Sequence, residues 1–338
     1  MLTTSEAYEN LLRIAVPRLG YEAAGKRGLE QWQRRLYREV AGLLKVPAAT
    51  AGTGEANLLG SEDLGDYTRG RLDIQAPDGA AIPAFLLTPK RAGGPVPAVI
   101  ALHGHGPGKV VPAGVITGDE VRRLIEEGER DYALQAVRQG YVALAPDLRG
   151  FGEMMLETDL EAKRGNSCTT LACRLAQLGQ TLLGMRVADI GACMDYLRSR
   201  QEVDKARIWC IGQSGGGTAT LFATAMDERI AGAIMSCSFC TFAASIMSIH
   251  HCPCNYVPGL QLAAEMPDVA GLICPRPLLV IAGKDDGIFP LEGVYQAYSR
   301  LERIYADAGA AKDLELYVGE GGHRFYAERA WPFVREHL

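Results

Sequence analysis

Short apolar runs alternate with helix-like stretches through most of the chain after its first quarter. The runs contain few polar residues, as is typical of strands that are buried on both faces of a parallel sheet. Stretches with apolar residues at helical spacing separate most of them. This alternation predicts an α/β fold with a mostly parallel central sheet flanked by helices. The predicted strands lie at residues 96–104, 141–147, 206–214, 229–238, 276–286 and 314–323.

Residues 1–60 have a more polar pattern and are predicted to form an N-terminal helical extension to a main domain at residues 61–338. A stripe of apolar side chains within 28–46 predicts a helix that packs against this domain rather than binding a partner. Residues 50–66 are rich in Gly, Thr and acidic residues, which predicts a loop. The alternation of polar and apolar residues around 77–79 predicts an antiparallel hairpin. The helical stripe consists of Leu29, Trp32, Leu36, Val40, Leu43 and Leu44.

Two connections, at about residues 148–175 and 239–275, are longer than a turn between a strand and a helix requires. Both follow the carboxyl end of a predicted strand. Ligands of open α/β sheets bind at that edge. We therefore expect these two insertions to form a lid or a wall of the binding pocket.

The composition limits the partners. The chain has 338 residues, of which 48% are hydrophobic and 22% charged, as in an ordinary globular protein. Its formal net charge is −5 and no block rich in Lys or Arg stands out. We therefore expect neither nucleic acid nor an acidic membrane surface as a partner. We expect a small-molecule substrate instead. The sequence leaves open whether the protein is a monomer or a homo-oligomer.

Targeting signals and cysteine usage predict a cytoplasmic protein. The N-terminus has no basic start followed by an apolar run and a small-residue cleavage site, and no apolar run is long enough to cross a bilayer. The nine cysteines are an odd number, scattered between Cys168 and Cys274. This argues against a disulfide framework and for a reducing compartment.

The segment from Gly212 to Gly216 reads Gly-Gln-Ser-Gly-Gly and lies between a predicted buried strand and a helix. It fits the G-x-S-x-G pattern, in which a sharp, strained turn exposes the serine hydroxyl above the sheet edge. The start of a helix also favours the negative charge that builds up during acyl transfer. The pattern in this context predicts Ser214 as a nucleophile.

A serine hydroxyl needs a base to take its proton and a third group to orient that base. Asp285 and Asp286 follow the next apolar strand but one after Ser214, and His323 follows the last strand. This is the order serine, acid, histidine of one class of serine hydrolase. From these residues alone, either aspartate could be the acid, because the other could cap the following turn.

The second requirement of acyl transfer is a pair of backbone N–H donors for the developing oxyanion. We assign them to Gly215, which follows the serine, and to His105, in the Gly-rich loop after the strand at 96–104. His103 and His105 look like a metal pair only superficially, since two histidines at this spacing on such a loop are more often structural. No metal is predicted there.

The chain resembles the α/β-hydrolase superfamily, and within it dienelactone-hydrolase-like and acetyl-xylan-esterase-like bacterial serine esterases. The segments that carry the resemblance are LHGHG, PDLRGFGE, GQSGGG, GKDDGIFP and GEGGH, between about residues 96 and 325. The resemblance implies that residues 61–338 are the catalytic domain. It also favours Asp286 over Asp285, because the acid of these esterases typically lies three residues after a Gly and four before a Pro. The family's D-x-R-G-x-G segment, matched from Asp147 to Gly152, usually shapes the floor of the site.

The sequence also departs from these families. Acetyl-xylan-type deacetylases commonly carry Gln where this chain has Gly215, and glucuronoyl esterases carry Arg there and Cys at the position of Gln213. Dienelactone hydrolases use a Cys nucleophile, which Ser214 replaces. The substrate of any one relative therefore does not transfer, and residues 1–60 match nothing diagnostic.

Four further residues are candidates for the substrate pocket. Arg149 and Glu153 could contact a polar substrate, with a structural ion pair as the alternative. His250 and His251 lie in a Pro- and Gly-containing segment at residues 248–260, which similar esterases use to line the pocket. Cys252 and Cys254 add metal-ligand types there, but the spacing lacks the usual two halves of a zinc site, so a pocket wall is favoured over a metal.

The sequence thus predicts a serine carboxylic-ester hydrolase that needs no cofactor. By analogy of fold, its substrates would be short-acyl esters of a carbohydrate or another small polar alcohol. A peptidase of the prolyl-oligopeptidase type shares the triad order, although the short N-terminal region leaves no room for a propeller gate. A catalytically silent hydrolase scaffold that binds a ligand is the third alternative, disfavoured by the intact serine, acid and histidine.

Overall fold

A nine-stranded mixed sheet organises the protein in the computed structural model, which describes residues 2–21, 25–90 and 93–338, with the backbone only at 25–27. The strands are β1 (Ala56–Asp63), β2 (Tyr67–Gln75), β3 (Ala81–Pro89), β4 (Val96–Leu102), β5 (Val142–Pro146), β6 (Val203–Gln213), β7 (Gly232–Ser236), β8 (Leu278–Gly283) and β9 (Leu314–Gly319). Their order across the sheet is β1-β2-β3-β5-β4-β6-β7-β8-β9. The pairs from β1 to β3, and β3 with β5, are antiparallel, and the remaining pairs are parallel.

Helices cover both faces of the sheet. Alternate residues of β4 point to opposite cores, Ile100 and Leu102 to one and Val99 and Ala101 to the other, as the pleat of a strand requires. The helices are α1 (Thr4–Ile14), α2 (Gly25–Leu44), α3 (Asp119–Glu126), α4 (Tyr132–Arg138), α5 (Glu157–Glu161), α6 (Cys168–Gln177), α7 (Leu182–Ser199), α8 (Gly215–Met226), α9 (Leu260–Ala263), α10 (Met266–Ala270), α11 (Leu291–Asp307) and α12 (Ala327–Glu336). Helices α4 and α12 pack on one face, and α2, α7, α8 and α11 on the other. The predicted α/β fold is confirmed.

The predicted N-terminal helical extension is helical over α1 and α2, and residues 1 and 22–24 lie outside the described part of the chain. Leu36, Val40 and Leu44 of α2 are fully buried in the core that α8 and α11 share. The apolar stripe therefore packs on the main domain, as its helical spacing predicts. Helix α1 buries none of its residues.

The loop predicted at residues 50–66 is wrong over residues 56–63, because β1 (Ala56–Asp63) lies there as the edge strand of the sheet. Its side chains are almost all exposed, and it pairs only with β2. An edge strand with both faces in solvent needs no alternation of apolar residues, so the hydrophobic pattern gives no signal for it. The neighbouring hairpin of β2 and β3 is antiparallel, as predicted.

The two long connections lie at the carboxyl edge of the parallel strands. The first contains a short 3₁₀ turn at Gly152–Met154, helix α5 and most of α6. The second contains a 3₁₀ turn at Pro253–Asn255, followed by α9 and α10. Helix α6 contacts the turn at Pro253–Asn255, so the two insertions meet. None of the described helices is both long and apolar enough to span a lipid bilayer.

Removing the buried leucine of α2 tests whether the N-terminal extension belongs to the core. Leu36→Ala is expected to lower the free energy of unfolding by about 2–5 kcal/mol, since it deletes a fully buried side chain and leaves a cavity. Arg38→Ala, at an exposed position two residues away, is the control and should change it by less than about 0.5 kcal/mol. Urea denaturation measures both. If the two variants were equally stable, the packing of α2 against the core would not contribute to the free energy of unfolding.

Candidate active site

Ser214 stands in a strained turn between β6 and α8. Its φ is 56° and its ψ −124°, a conformation that costs a non-Gly residue about 1–3 kcal/mol. The two outer glycines of the motif touch: a Cβ added to Gly212 would lie 2.3 Å from the carbonyl of Gly216. The Ser214 N–H donates to the Ser236 carbonyl on β7 at 2.9 Å, which fixes the turn to the neighbouring strand. The side chain is half-buried at the start of α8.

His323 and Asp286 form a hydrogen-bonded pair in the loops after β9 and β8. His323 Nδ1 lies 2.8 Å from Asp286 Oδ2. The other carboxylate oxygen accepts the backbone N–H groups of Ile288 at 2.9 Å and Phe289 at 3.2 Å. Asp286 is buried, whereas Asp285 is exposed, so the histidine is paired with the acid that the resemblance favours.

The surroundings of Asp286 keep it ionised although it is buried. Burial alone would raise the pKa of this carboxyl group. The hydrogen bond and charge of His323, together with the two backbone donors, outweigh burial and hold the pKa below its ordinary value. An ionised carboxylate at Nδ1 favours the tautomer that leaves Nε2 of the ring free to accept a proton.

The loops of β7, β8 and β9 bring these groups to one edge of the sheet. The Ser236 hydroxyl donates to the Arg324 carbonyl at 3.0 Å, which joins the strand beside Ser214 to the loop of His323. The His323 ring stacks on Phe289 with centroids 6.0 Å apart and planes 11° apart. Cys237 places its sulfur within 4.8 Å of ligand atoms of Asp286 and His323, and burial raises its pKa to about 12, so it is a neutral thiol.

His105 lies directly beside the nucleophile turn. A Cβ added to Gly215 would lie 2.8 Å from both Cε1 and Nδ1 of the His105 ring. A side chain at position 215 would therefore collide with this ring unless the ring moved. The first N–H groups of α8, including that of Gly215, have no partner within their own helix. The His105 ring therefore lies beside the start of α8. The assignment of the His105 and Gly215 backbone N–H groups as oxyanion donors stays a prediction.

The opposite side of the His105 ring faces sulfur. Nε2 lies 3.3 Å from Cys254 Sγ, and the ring contacts His251 edge to face at 6.5 Å. Burial by itself would lower the pKa of His105, but hydrogen bonds and charge from Cys252 and Cys254 raise it to about 9.

His103 has a structural environment. Its Nε2 accepts the backbone N–H of Leu148 at 2.9 Å, and Nδ1 lies 2.7 Å from the Gly104 carbonyl. Burial lowers its pKa to about 4, so the ring is neutral and ties the loop after β4 to the loop after β5. The two histidines of this loop therefore do not converge on one ligand.

The predicted pocket residues Arg149 and Glu153 are held in ion pairs. The Arg149 guanidinium donates to Asp189 at 2.7 and 3.0 Å and to Asp78 at 2.7 and 3.1 Å. Glu153 pairs with Arg71 at 2.6 Å and also accepts from Lys109. These contacts match the structural alternative for both residues.

The two predicted histidines of the second insertion differ in position. His250 is exposed. His251 is half-buried, its Nδ1 lies 3.1 Å from the Asn255 side-chain amide, and its ring lies 6.2 Å from that of Phe289. His251 is thus at the rim between His105 and the ring that supports His323. The sequence analysis did not predict Phe289 and Cys237 as site residues, because a single Phe or Cys after a strand does not indicate a function.

Comparison with known proteins agrees with this architecture. A protein named "Putative hydrolase YtaP" from Bacillus subtilis (strain 168) is 30% identical over 251 residues, covering 71% of this chain and 77% of its own. A solved structure described as a "putative acetyl xylan esterase (BF1801)" from Bacteroides fragilis NCTC 9343 has a TM-score of 0.84 at 18% identity and covers 100% of this chain and 96% of its own. A glucuronoyl esterase from Solibacter usitatus has a TM-score of 0.71 at 16% identity, with coverage of 96% and 97%.

At these identities the solved structures share the fold with this chain. The predicted resemblance to α/β-hydrolases is confirmed. The profile of the Abhydrolase family matches residues 4–304, which is most of the chain. The protein with this strained serine turn and this histidine–aspartate pair therefore belongs to the Abhydrolase family.

Proposed function

We propose that the protein is a serine carboxylic-ester hydrolase in which Ser214 is the nucleophile and His323 the general base. The observation that carries the proposal is the Asp286–His323 hydrogen bond of 2.8 Å at the sheet edge where the strained Ser214 turn ends β6. A paired, oriented imidazole and a half-buried serine at a helix start are the parts that acyl transfer needs. The family membership and the names of the similar proteins support the same class of reaction.

In the acylation step, His323 Nε2 takes the proton of the Ser214 hydroxyl as its oxygen bonds to the ester carbonyl carbon. The carbonyl π electrons move to oxygen, where the backbone N–H groups of His105 and Gly215 stabilise the charge. The intermediate then breaks its bond to the alcohol, which leaves with the proton from His323. Water repeats the sequence on the acyl-enzyme, releases the carboxylic acid and restores the serine.

The acid works through the histidine. Because Asp286 stays ionised, it stabilises the imidazolium that forms in each half-reaction and keeps Nδ1 protonated. The stacking of Phe289 on the imidazole and its backbone N–H on Asp286 hold both members of the pair.

The substrate proposal is a short acyl group on a carbohydrate or another small polar alcohol. It rests on the names of the similar solved structures, which are acetyl xylan and glucuronoyl esterases. A panel of p-nitrophenyl acyl esters, acetylated sugars and aminoacyl anilides separates the alternatives. Preference for anilides would point to a peptidase, and turnover of none to a binding protein.

Replacing the nucleophile tests the mechanism. Ser214→Ala is expected to lower kcat for p-nitrophenyl acetate by at least about 10⁴-fold, because the covalent step is lost. Ser61→Ala, on the exposed edge strand β1, is the control and should retain full activity. A fluorophosphonate probe should label the wild type and Ser61→Ala but not Ser214→Ala. A folded Ser214→Ala protein with wild-type turnover would refute the mechanism.

The two neighbouring aspartates provide a matched pair of variants that tests which acid orients His323. Asp286→Asn should lower kcat by about 10³–10⁴-fold, since the imidazole loses its orienting charge, while Asp285→Asn should leave kcat nearly unchanged.

The lowered pKa of Asp286 also predicts that the stability of the protein depends on pH. Its stabilising contribution is fully present above the unfolded pKa of about 3.9 and is lost as pH falls through the lower folded value.

Urea denaturation of the wild type and Asp286→Asn between about pH 7 and 3 measures this contribution. The stability difference between the two proteins should be constant near neutral pH and should decrease once the pH falls below about 4. A difference that grows toward low pH would show that the sign of the pKa shift is wrong.

The contact of His105 with position 215 predicts the effect of adding one methyl group. Gly215→Ala should lower the free energy of unfolding by about 1–3 kcal/mol, because the His105 ring must move. It should also reduce kcat, because the proposed oxyanion donors at His105 and Gly215 would shift with it. Gly191→Ala, in α7 with open space around it, is the control and should be neutral or stabilise by up to about 1 kcal/mol. If Gly215→Ala were as stable and as active as the wild type, the His105 ring would not exclude a side chain at position 215.

A further inference from the structure

We propose that His105, Cys168, Cys252 and Cys254 bind one structural zinc ion. The potential ligand atoms of these four residues all lie within 4.8 Å of one another. The Sγ atoms of Cys252 and Cys254 are 3.1 Å apart, and Cys254 Sγ is 3.3 Å from His105 Nε2. Three sulfurs and one imidazole nitrogen form one of the usual ligand sets of structural zinc.

The spacing suits a single ion. With Zn–S bonds of about 2.3 Å and tetrahedral geometry, neighbouring ligand atoms lie about 3.8 Å apart. The four atoms are within about an ångström of that arrangement. An iron–sulfur cluster spreads its ligands over two or more metal atoms and would separate them further. Soft thiolates with one imidazole favour zinc over magnesium, calcium or manganese.

Three separate parts of the chain supply the ligands. His105 lies in the loop after β4, Cys168 is the first residue of α6, and Cys252 and Cys254 flank Pro253 at the start of a 3₁₀ turn. A helix N-terminus stabilises a thiolate, which is the form of cysteine that binds metal. The ion would therefore tie both insertions to the loop after β4.

The charge around the cluster supports an ion there. Arg186 is buried, and its Nη2 lies 3.2 Å from Cys168 Sγ, while its other hydrogen bonds go to the uncharged Arg149 carbonyl. Within the described residues, no carboxylate forms an ion pair with this guanidinium. A buried guanidinium needs a counter-charge. Three thiolates and one Zn²⁺ carry a net charge of −1, which Arg186 neutralises.

The environment indicates a closed, structural site. Cys168 and Cys254 are buried, and Phe151, only 2% exposed, contacts the His105 ring at 5.1 Å and lies under the Arg186 guanidinium at 5.1 Å. Four protein ligands leave no open position for water or substrate, as in structural rather than catalytic zinc sites.

The proposed ion would act on the oxyanion site through His105. Its Nε2 would bind the metal, while the rest of the ring rests against Gly215. Zinc would thus fix the loop that presents the His105 N–H. This consequence rests on the proposed esterase function, whereas zinc binding itself does not.

The sequence analysis above predicts the opposite, that no metal binds. That prediction weighed His103 with His105, and the segment from His250 to Cys254, as separate candidates. The structure takes one histidine from the first and two cysteines from the second, and adds Cys168. His103, His250 and His251 lie outside the group.

Metal analysis of the full-length protein tests the proposal. Protein purified under reducing conditions without chelator should contain about one zinc per chain by inductively coupled plasma mass spectrometry. Zinc should be released when a mercurial reagent blocks the thiols, and removal should lower Tm by several degrees, with recovery on adding Zn²⁺.

Matched cysteine variants locate the site. Cys252→Ser and Cys168→Ser should each lose most of the bound zinc. Cys173→Ser, at an exposed position on the same helix as Cys168, should retain all of it. Circular dichroism checks that each variant is folded, and titration of metal-depleted wild type with Zn²⁺ gives a result that does not depend on the variants.

Three results would overturn the assignment. One is a reduced wild-type protein that neither contains zinc nor binds it on titration. Another is a native disulfide between two of the three cysteines, detected by alkylation and mass spectrometry. The third is stoichiometric iron in place of zinc. Ser214→Ala should keep its zinc while losing activity, so failure of the zinc proposal and failure of the esterase proposal are distinguishable.

Discussion

The parallel register of β6, β7, β8 and β9 is the constraint on which the candidate site depends. Gln213 on β6 pairs with Ser236 on β7, which in turn pairs with Ile281 on β8. The carboxyl ends of these strands therefore finish at one edge, and the loops that follow β6, β8 and β9 carry Ser214, Asp286 and His323 there. No long side chain has to reach across the sheet, since the backbone ladder itself brings the serine, acid and histidine loops together.

The site stores unfavourable features that its surroundings offset. Ser214 has a strained backbone, and Asp286 keeps a charge in a buried position. The first is held by a hydrogen bond to β7 and by the packed helix behind it, and the second by two backbone donors and His323. The same donors that make the buried carboxylate tolerable also aim it at the imidazole, so stability and orientation come from one set of contacts.

His105 joins this edge to the insertions. One side of its ring closes over Gly215, and the other faces the sulfurs of Cys252 and Cys254. The two insertions are thereby coupled to the nucleophile turn through a single imidazole.

Local patterns in the sequence were sufficient for the parallel strands, the serine turn and the order of serine, acid and histidine. Buried strands and strand-to-helix turns leave short-range signals in apolar runs and glycines. The edge strand β1 left none, because its side chains remain in solvent. The choice of Asp286 over Asp285 needed family spacing, and in the structure it is the burial of one acid and exposure of the other that separates them.

The sequence alone thus determined that the serine, the acid and the histidine follow the carboxyl ends of parallel strands, since this depends on residues within a few positions of each other. Only the tertiary structure decided which side chains meet across the insertions. Arg149 pairs with acids far along the chain, and His105 meets cysteines more than 60 residues away. Such contacts depend on the paths of two long connections, and those paths are set by packing over the sheet edge rather than by any local periodicity.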